Sequence, residues 1–209
     1  MSAGSGMEKI LTKRFFRRDT RVVARGLLGK FIVRRASGRR VALMITETEA
    51  YDGFRDKASH ARRGLTERNK PMFGEAGHWY VYFTYGMHWM LNVVTGEKGY
   101  PAAVLIRAGR YNKNGKTVLI NGPARLTKFM KIDKRLNALL VSVKTGLWLE
   151  DRGIKANSHG RIRIGEDRSG AALFACIKKS PRIGVDSAGP VWAKKHYRFY
   201  LPRRKSSAK

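Results

Sequence analysis

Two carboxylates and a phenol occupy alternate positions in Ile45-Thr-Glu-Thr-Glu-Ala-Tyr51, namely Glu47, Glu49 and Tyr51. The run follows Val41-Ala-Leu-Met44, so it reads as a strand leaving an apolar core. Side chains alternate along a strand, which sends the three groups to one face. A carboxylate held there can take a proton from water and stabilise a developing cation. An edge strand turning its charges to water would show the same pattern. A second set of groups follows in Tyr80-Val-Tyr-Phe-Thr-Tyr85. Tyr80, Tyr82 and Thr84 should share one face of that strand, and Val81, Phe83 and Tyr85 the other. Gly86 supplies a turn, and Trp89-Met-Leu-Asn-Val-Val94 reads as the returning strand with a single amide, Asn92. A tyrosine-rich hairpin beside an acidic strand offers stacking surfaces next to a proton acceptor. Aromatic pairs also stabilise hairpins that bind nothing, so the hairpin alone decides little.

Several elements must position these groups. Ile10, Leu11, Phe15 and Phe16 recur at roughly helical spacing and predict a helix over Met7–Arg18. Asp19-Thr20 is a plausible N-cap for a second helix through Leu28, ended by Gly29. Lys30–Arg34 reads as a strand, Ser37-Gly38 as a turn, and Ala102–Ile106 as a buried strand ending in Arg107. The long, pattern-poor stretch 52–78 joins the acidic strand to the tyrosine hairpin, and a loop of that length is usually functional or disordered. Pro123 opens a helix through Met130, Leu136–Leu149 mixes helix and strand, and Arg161–Gly165 alternates as a strand. Hairpins dominate over βαβ units, so the class is α+β. At 209 residues the expectation is one domain over 1–209, with 1–6 and 203–209 disordered.

Charge narrows the partner. The chain has 44 Lys and Arg against 15 Asp and Glu, a net charge of +29. Residues 1–40 alone carry 12 basic and 2 acidic side chains. Such an excess implies a polyanion, with nucleic acid the first candidate. No apolar run approaches the ~18–20 residues that span a bilayer, and the N-terminus lacks a signal-peptide core. The single cysteine, Cys176, lies in an apolar run and is expected as a small core residue. With five scattered histidines it gives no thiolate or zinc spacing, so no metal or other cofactor is expected.

The residues also carry a resemblance. Glu47-Thr-Glu-Ala-Tyr51, His60, the Arg68-Asn69 to Met72-Phe73 step, Tyr80-Val-Tyr82 and Tyr85-Gly-Met87 are similar to the alkyladenine (3-methyladenine) DNA glycosylases of the mammalian type. So are Asn92, Leu105-Ile-Arg107, Asn121-Gly-Pro123 and Ser180-Pro-Arg-Ile-Gly-Val185, in order and spacing from about Phe15 to about Tyr200. The likeness lapses at Thr84, His88 and Trp89 and over the lysine-rich 111–117. It implies a curved, mostly antiparallel sheet with surrounding helices and a β-hairpin inserted into DNA. It implies that Glu49 activates water, that Arg107 holds that water or a phosphate, and that Tyr51, His60 and Tyr82 wall a base pocket. Asn92 would crowd the 2-amino group of guanine, and Tyr85 would fill the gap in the duplex. Glu47 is left as supporting or structural.

The activity so implied is hydrolysis of the N-glycosidic bond of alkylated or deaminated purines in base excision repair. The expected partner is double-stranded DNA containing damaged purines, met by an intracellular monomer, in cytoplasm, nucleoid or nucleus, that engages no membrane. No lysine stands at the matched pocket positions, which argues against a Schiff-base lyase step. Two other readings stand beside it. One is a basic nucleic-acid-binding protein whose aromatics only stack on bases. The other is a Mg-dependent nuclease using Glu47 and Glu49, with Asp52 and Asp56 nearby as further ligands.

Overall fold

The acidic run lies inside the longest strand of the computed structural model, which describes residues 8–154, 161–166 and 172–202. In chain order the strands are β1 (Lys9–Ile10), β2 (Phe31–Ala36), β3 (Arg39–Asp52), β4 (Trp79–Thr84), β5 (His88–Val94) and β6 (Ala102–Lys113). They continue as β7 (Lys116–Asn121), β8 (Leu147–Asp151), β9 (Arg161–Glu166), β10 (Ala172–Cys176), β11 (Lys178–Ser180) and β12 (Arg198–Tyr200). Four short helices accompany them: α1 (Lys13–Phe16), α2 (Thr20–Gly26), α3 (Pro123–Phe129) and α4 (Pro190–Ala193). The terminal segments 1–6 and 203–209 lie outside the described residues. Among the described residues no helix is long and apolar enough to cross a membrane.

Ten strands form one antiparallel sheet, in the order β1-β8-β2-β3-β6-β5-β4, with β7 on β6, β12 on β3 and β11 on β12. β9 and β10 form a separate two-stranded ribbon. The partner on each edge changes partway along the two central strands. β2 pairs with residues 39–44 of β3, and β12 with 47–49. β5 pairs with residues 103–105 of β6, and β7 with 108–113. The sheet therefore branches and curls, and the fold is α+β as expected. β3 is central, which removes the edge-strand explanation of its charges. Its register with β6 shifts around Thr46, an irregularity of the kind that re-aims side chains. Beyond it Thr48 donates its hydroxyl to the Ala24 carbonyl of α2, while Glu47, Glu49 and Tyr51 share the other face.

The main core fills the space between sheet, α2 and α3, with Leu27, Ile32, Leu43, Ile45, Trp79, Leu91, Ile106 and Leu126 fully buried. Asp19 caps α2 by accepting from the Arg21 and Val22 amides, a contact worth about 1 kcal/mol. The 52–78 connection folds over a smaller core of Ala61, Met72, Tyr80, Val94 and Ala103. Two 3-10 turns, His60–Arg63 and Lys70–Phe73, stiffen it.

Three local expectations are corrected. The Met7–Arg18 helix is instead β1 followed by the single turn α1, because Lys9 and Ile10 pair with Asp151 and Glu150 of β8. β6 runs past Arg107 to Lys113, turning the lysine-rich segment into the β6–β7 hairpin. Cys176 is exposed on the β9–β10 ribbon rather than in the core, since that ribbon is only two strands wide.

Candidate active site

Arg107 of β6 and Glu47 and Glu49 of β3 meet across the strand pair. Arg107 Nε donates to Glu47 Oε1 at 3.0 Å, and Nη1 to Glu49 Oε2 at 3.2 Å. Arg198 of β12 donates to the same Glu47 oxygen at 2.8 Å, so Glu47 is bracketed by two guanidinium groups. Glu49 is wholly buried. It also accepts the Tyr51 hydroxyl at 2.9 Å on Oε2 and the Ile183 backbone N–H at 2.8 Å on Oε1. Burial pushes its carboxyl above the usual range, and Arg107, the Ile183 amide and Tyr51 pull it partly back. Burial also drives the Tyr51 phenol well up, so it remains a donor to the carboxylate.

Tyr51, Arg107 and Ile183 form part of the wall of a cavity of about 300 Å³. That volume is at the small end of ligand sites. His60, Tyr80, Tyr82 and Asn92 line it deeper, and Thr84, Tyr85 and Pro123 line it from the hairpin and the start of α3. His60 Nδ1 lies 2.9 Å from the Tyr80 hydroxyl, and its ring meets Tyr82 edge-on at 4.6 Å between centroids. Burial, with Arg68 adding to it, pushes the His60 pKa down to about 4, so the ring is neutral near pH 7. Tyr82 is pushed up to about 12 by burial, and Arg68 sits 5.3 Å over its ring. Asn92 is buried and donates its amide to the Tyr80 carbonyl at 3.1 Å. It holds the back of the hairpin while its side chain borders the cavity.

Tyr85 does not follow the alternation. Its φ of 52° puts it in the left-handed region at the turn, and the residue joins the cavity rim rather than the Val81–Phe83 face. Its side chain is 80% exposed, and Met87 next to it is 66% exposed. A protruding apolar hairpin tip costs solvation in the free protein.

Sequence reasoning overlooked the clamp beneath this site. Arg182 and Asp56 form a fully buried pair, with Nη2 to Oδ1 at 2.8 Å, and Arg182 also donates to the Ala50 carbonyl at 2.8 Å. Asp56 in turn accepts from the Asp52 and Ala58 amides. The Arg182 guanidinium stacks 4.8 Å from the Tyr51 ring. One ion pair thus ties the 52–58 loop, β3 and the 181–185 segment together, and delivers the Ile183 N–H to Glu49. In the sequence Asp56 stands out only as a metal-ligand candidate. Tyr80 lay within a matched motif without a role, and Arg182 within the Ser180–Val185 match.

The arrangement supplies a buried carboxylate between fixed donors, an aromatic cavity with one neutral imidazole, and an exposed aromatic beside its mouth. The carboxylates a metal-dependent nuclease needs are engaged by cations: Glu47 and Glu49 with Arg107, Asp56 with Arg182.

Comparison with known proteins agrees with this chemistry. Residues 14–205 match the family model described as methylpurine-DNA glycosylase (MPG). A relative from Methanocella arvoryzae, provisionally named a 3-methyladenine DNA glycosylase, is 41% identical over 203 residues, covering 91% of this chain and 92% of its own. One of the same provisional name from Anaeromyxobacter is 40% identical over 91% of this chain and 88% of its own. Another, from Carboxydothermus hydrogenoformans, is 36% identical over 96% and 99%. A family model that spans nearly the whole chain, around a buried carboxylate beside an aromatic cavity, identifies this protein as a member of the methylpurine-DNA glycosylase family, and so as a DNA glycosylase.

Proposed function

We propose that the protein removes alkylated or deaminated purines, of the 3-methyladenine, hypoxanthine and ethenoadenine type, from duplex DNA by hydrolysing the N-glycosidic bond. The observation that carries this reading is Glu49, buried and hydrogen-bonded directly behind the tyrosine-lined cavity. The damaged nucleotide rotates out of the stack into that cavity. Tyr51 and Tyr82 hold the base by stacking, with His60 as a neutral hydrogen-bonding partner. Asn92, fixed by the Tyr80 carbonyl, crowds the 2-amino group of guanine. Tyr85 fills the vacated place in the duplex.

In the hydrolysis, the oxygen of a water bonds to C1′ of the deoxyribose. The C1′–N bond breaks, and its electron pair leaves with the base. Glu49 accepts the water's proton, and its negative charge stabilises the cation-like sugar. In the free protein Glu49 is sealed by Tyr51, Arg107 and Ile183. Water reaches it once Arg107 moves from the carboxylates towards the water or a flanking phosphate. Oε1, with a single protein donor, is the oxygen free to receive it. Glu47, with two guanidinium partners, orients Arg107 until that movement and keeps Arg198 in place.

The test is release of free base from duplex DNA containing hypoxanthine or 3-methyladenine. Free base should appear with the strand intact until alkali is added, and at the same rate with EDTA. Strand scission that stops in EDTA would support the nuclease instead. Tight binding without base release would support a passive binder.

A further inference from the structure

The β6–β7 hairpin lies outside the site, and three features of it lack a structural purpose. First, Lys113 and Lys116 sit directly opposite one another as the last cross-strand pair. Like charges so placed destabilise a hairpin. Folding does not require them there, because the turn is already specified: Asn114 and Gly115 take φ of 50° and 76°, and Asn112 accepts the Gly115 N–H at 2.8 Å.

Second, nothing nearby neutralises them. From Lys98 to Ile132 the chain has eight basic residues and no Asp or Glu. Lys113, Lys116, Arg125 and Lys128 are exposed and make no ion pair among the described residues. Several other surface cations do have acidic partners, as in Lys13–Glu75, Arg17–Glu97 and Arg40–Glu8.

Third, the hairpin points the right way. β5 and β7 are both antiparallel to β6, so the Tyr85–Gly86 turn and the Asn114–Gly115 turn project from the same end of the sheet. α3 fills the fork between the two hairpins, where Thr127 donates to the Trp89 carbonyl, and its Pro123 lines the cavity.

We propose that the β6–β7 hairpin is a second DNA-gripping arm, whose Lys113 and Lys116 hold backbone phosphates of the duplex on one side of the damaged base. Lys113 is six residues beyond Arg107, about 20 Å along a strand. That distance corresponds to about six base pairs, at 3.4 Å per step. The arm therefore extends the contact past the flipped nucleotide and anchors the duplex against the force of insertion at Tyr85. It contacts phosphates alone and adds no base preference.

The experiment compares the full chain with Lys113→Gln/Lys116→Gln. Binding to undamaged duplex is measured across a salt series, and binding to lesion duplexes trimmed from either end is measured at low salt. The wild-type log affinity should fall steeply with log salt, and the variant's slope should be shallower by about 1 to 2, at ~0.9 per phosphate released. Trimming one end to within about three base pairs of the lesion should weaken the wild type several-fold and leave the variant little changed. Base release by saturating enzyme in a single turnover should be equal in the two proteins, and the variant should be at least as heat-stable as the wild type because the Lys–Lys repulsion is gone. An unchanged salt slope, or equal loss on trimming in both proteins, would overturn the proposal while leaving the glycosylase reading intact. Loss of base release at saturation would also overturn it, by placing the hairpin in the active site.

Discussion

Glu49 combines two demands that oppose each other. Full burial favours its neutral form, while Arg107, Tyr51 and the Ile183 amide favour the carboxylate. The carboxylate must be present to accept a proton, so the acidic limb of base release should lie above ~4.3, the ordinary glutamate value. A limb at or below that value would mean that Glu49 is not the titrating group. The same shift has a consequence for stability. With its folded pKa raised, Glu49 favours the folded state fully at pH below the unfolded value, and that advantage is lost as pH rises through the folded one. Glu49→Gln should therefore melt higher than wild type near pH 7.5, and the difference should narrow towards pH 4. A variant less stable at both would contradict the assignment. Arg182 and Asp56 act beneath it. Asp56→Asn leaves Arg182 buried and uncompensated, and should cost about 3–5 kcal/mol in urea unfolding. A loss under ~1 kcal/mol would rank the pair with exposed ones.

The β4–β5 hairpin holds one cavity wall, with Tyr82 and Asn92, and the exposed tip at Tyr85. Tyr85→Ser should leave the Glu49 cluster intact but reduce the fraction of flipped nucleotide. With an ethenoadenine duplex, whose fluorescence reports stacking, the flipped population at saturation should fall. An unchanged population would remove Tyr85 from the wedge role. The hairpin was legible because strand alternation is a short-range signal, and Tyr80 and Tyr82 stand where period two puts them. Tyr85 escaped because a single left-handed residue breaks that period. The N-terminal turn was misread for a related reason. Apolar spacing around Phe15 and Phe16 fits a helix, while the pairing of Lys9 and Ile10 with β8 depends on residues far along the chain.

Across the whole molecule, the curl of the sheet brings together groups that no local pattern connects. Arg182 reaches Asp56 across 126 residues, and Arg107 reaches Glu49 across 58. Motif resemblance recovered Glu49, Tyr51, Tyr82 and Arg107 as a set because each sits within a recognisable run. It could not supply the Asp56–Arg182 pair, whose meaning arises only when the 52–58 loop folds onto the 181–185 segment. Nor could it relate the lysines of 111–117 to the mouth of the cavity, which requires knowing that β5 and β7 share one edge of β6. Charge pointed to a polyanion, and the fold places Lys113 and Lys116, without ion pairs among the described residues, at the end where both hairpins project. The central claim is that Glu49 activates the water that frees the base. It is tested most directly by single-turnover base release from hypoxanthine-containing duplex DNA, comparing wild type, Glu49→Gln and Glu47→Gln alongside their DNA affinities. Glu49→Gln should lose at least ~10²-fold in rate with DNA binding retained, and Glu47→Gln should lose less. Near-normal release by Glu49→Gln, or the larger loss falling on Glu47→Gln, would contradict that claim.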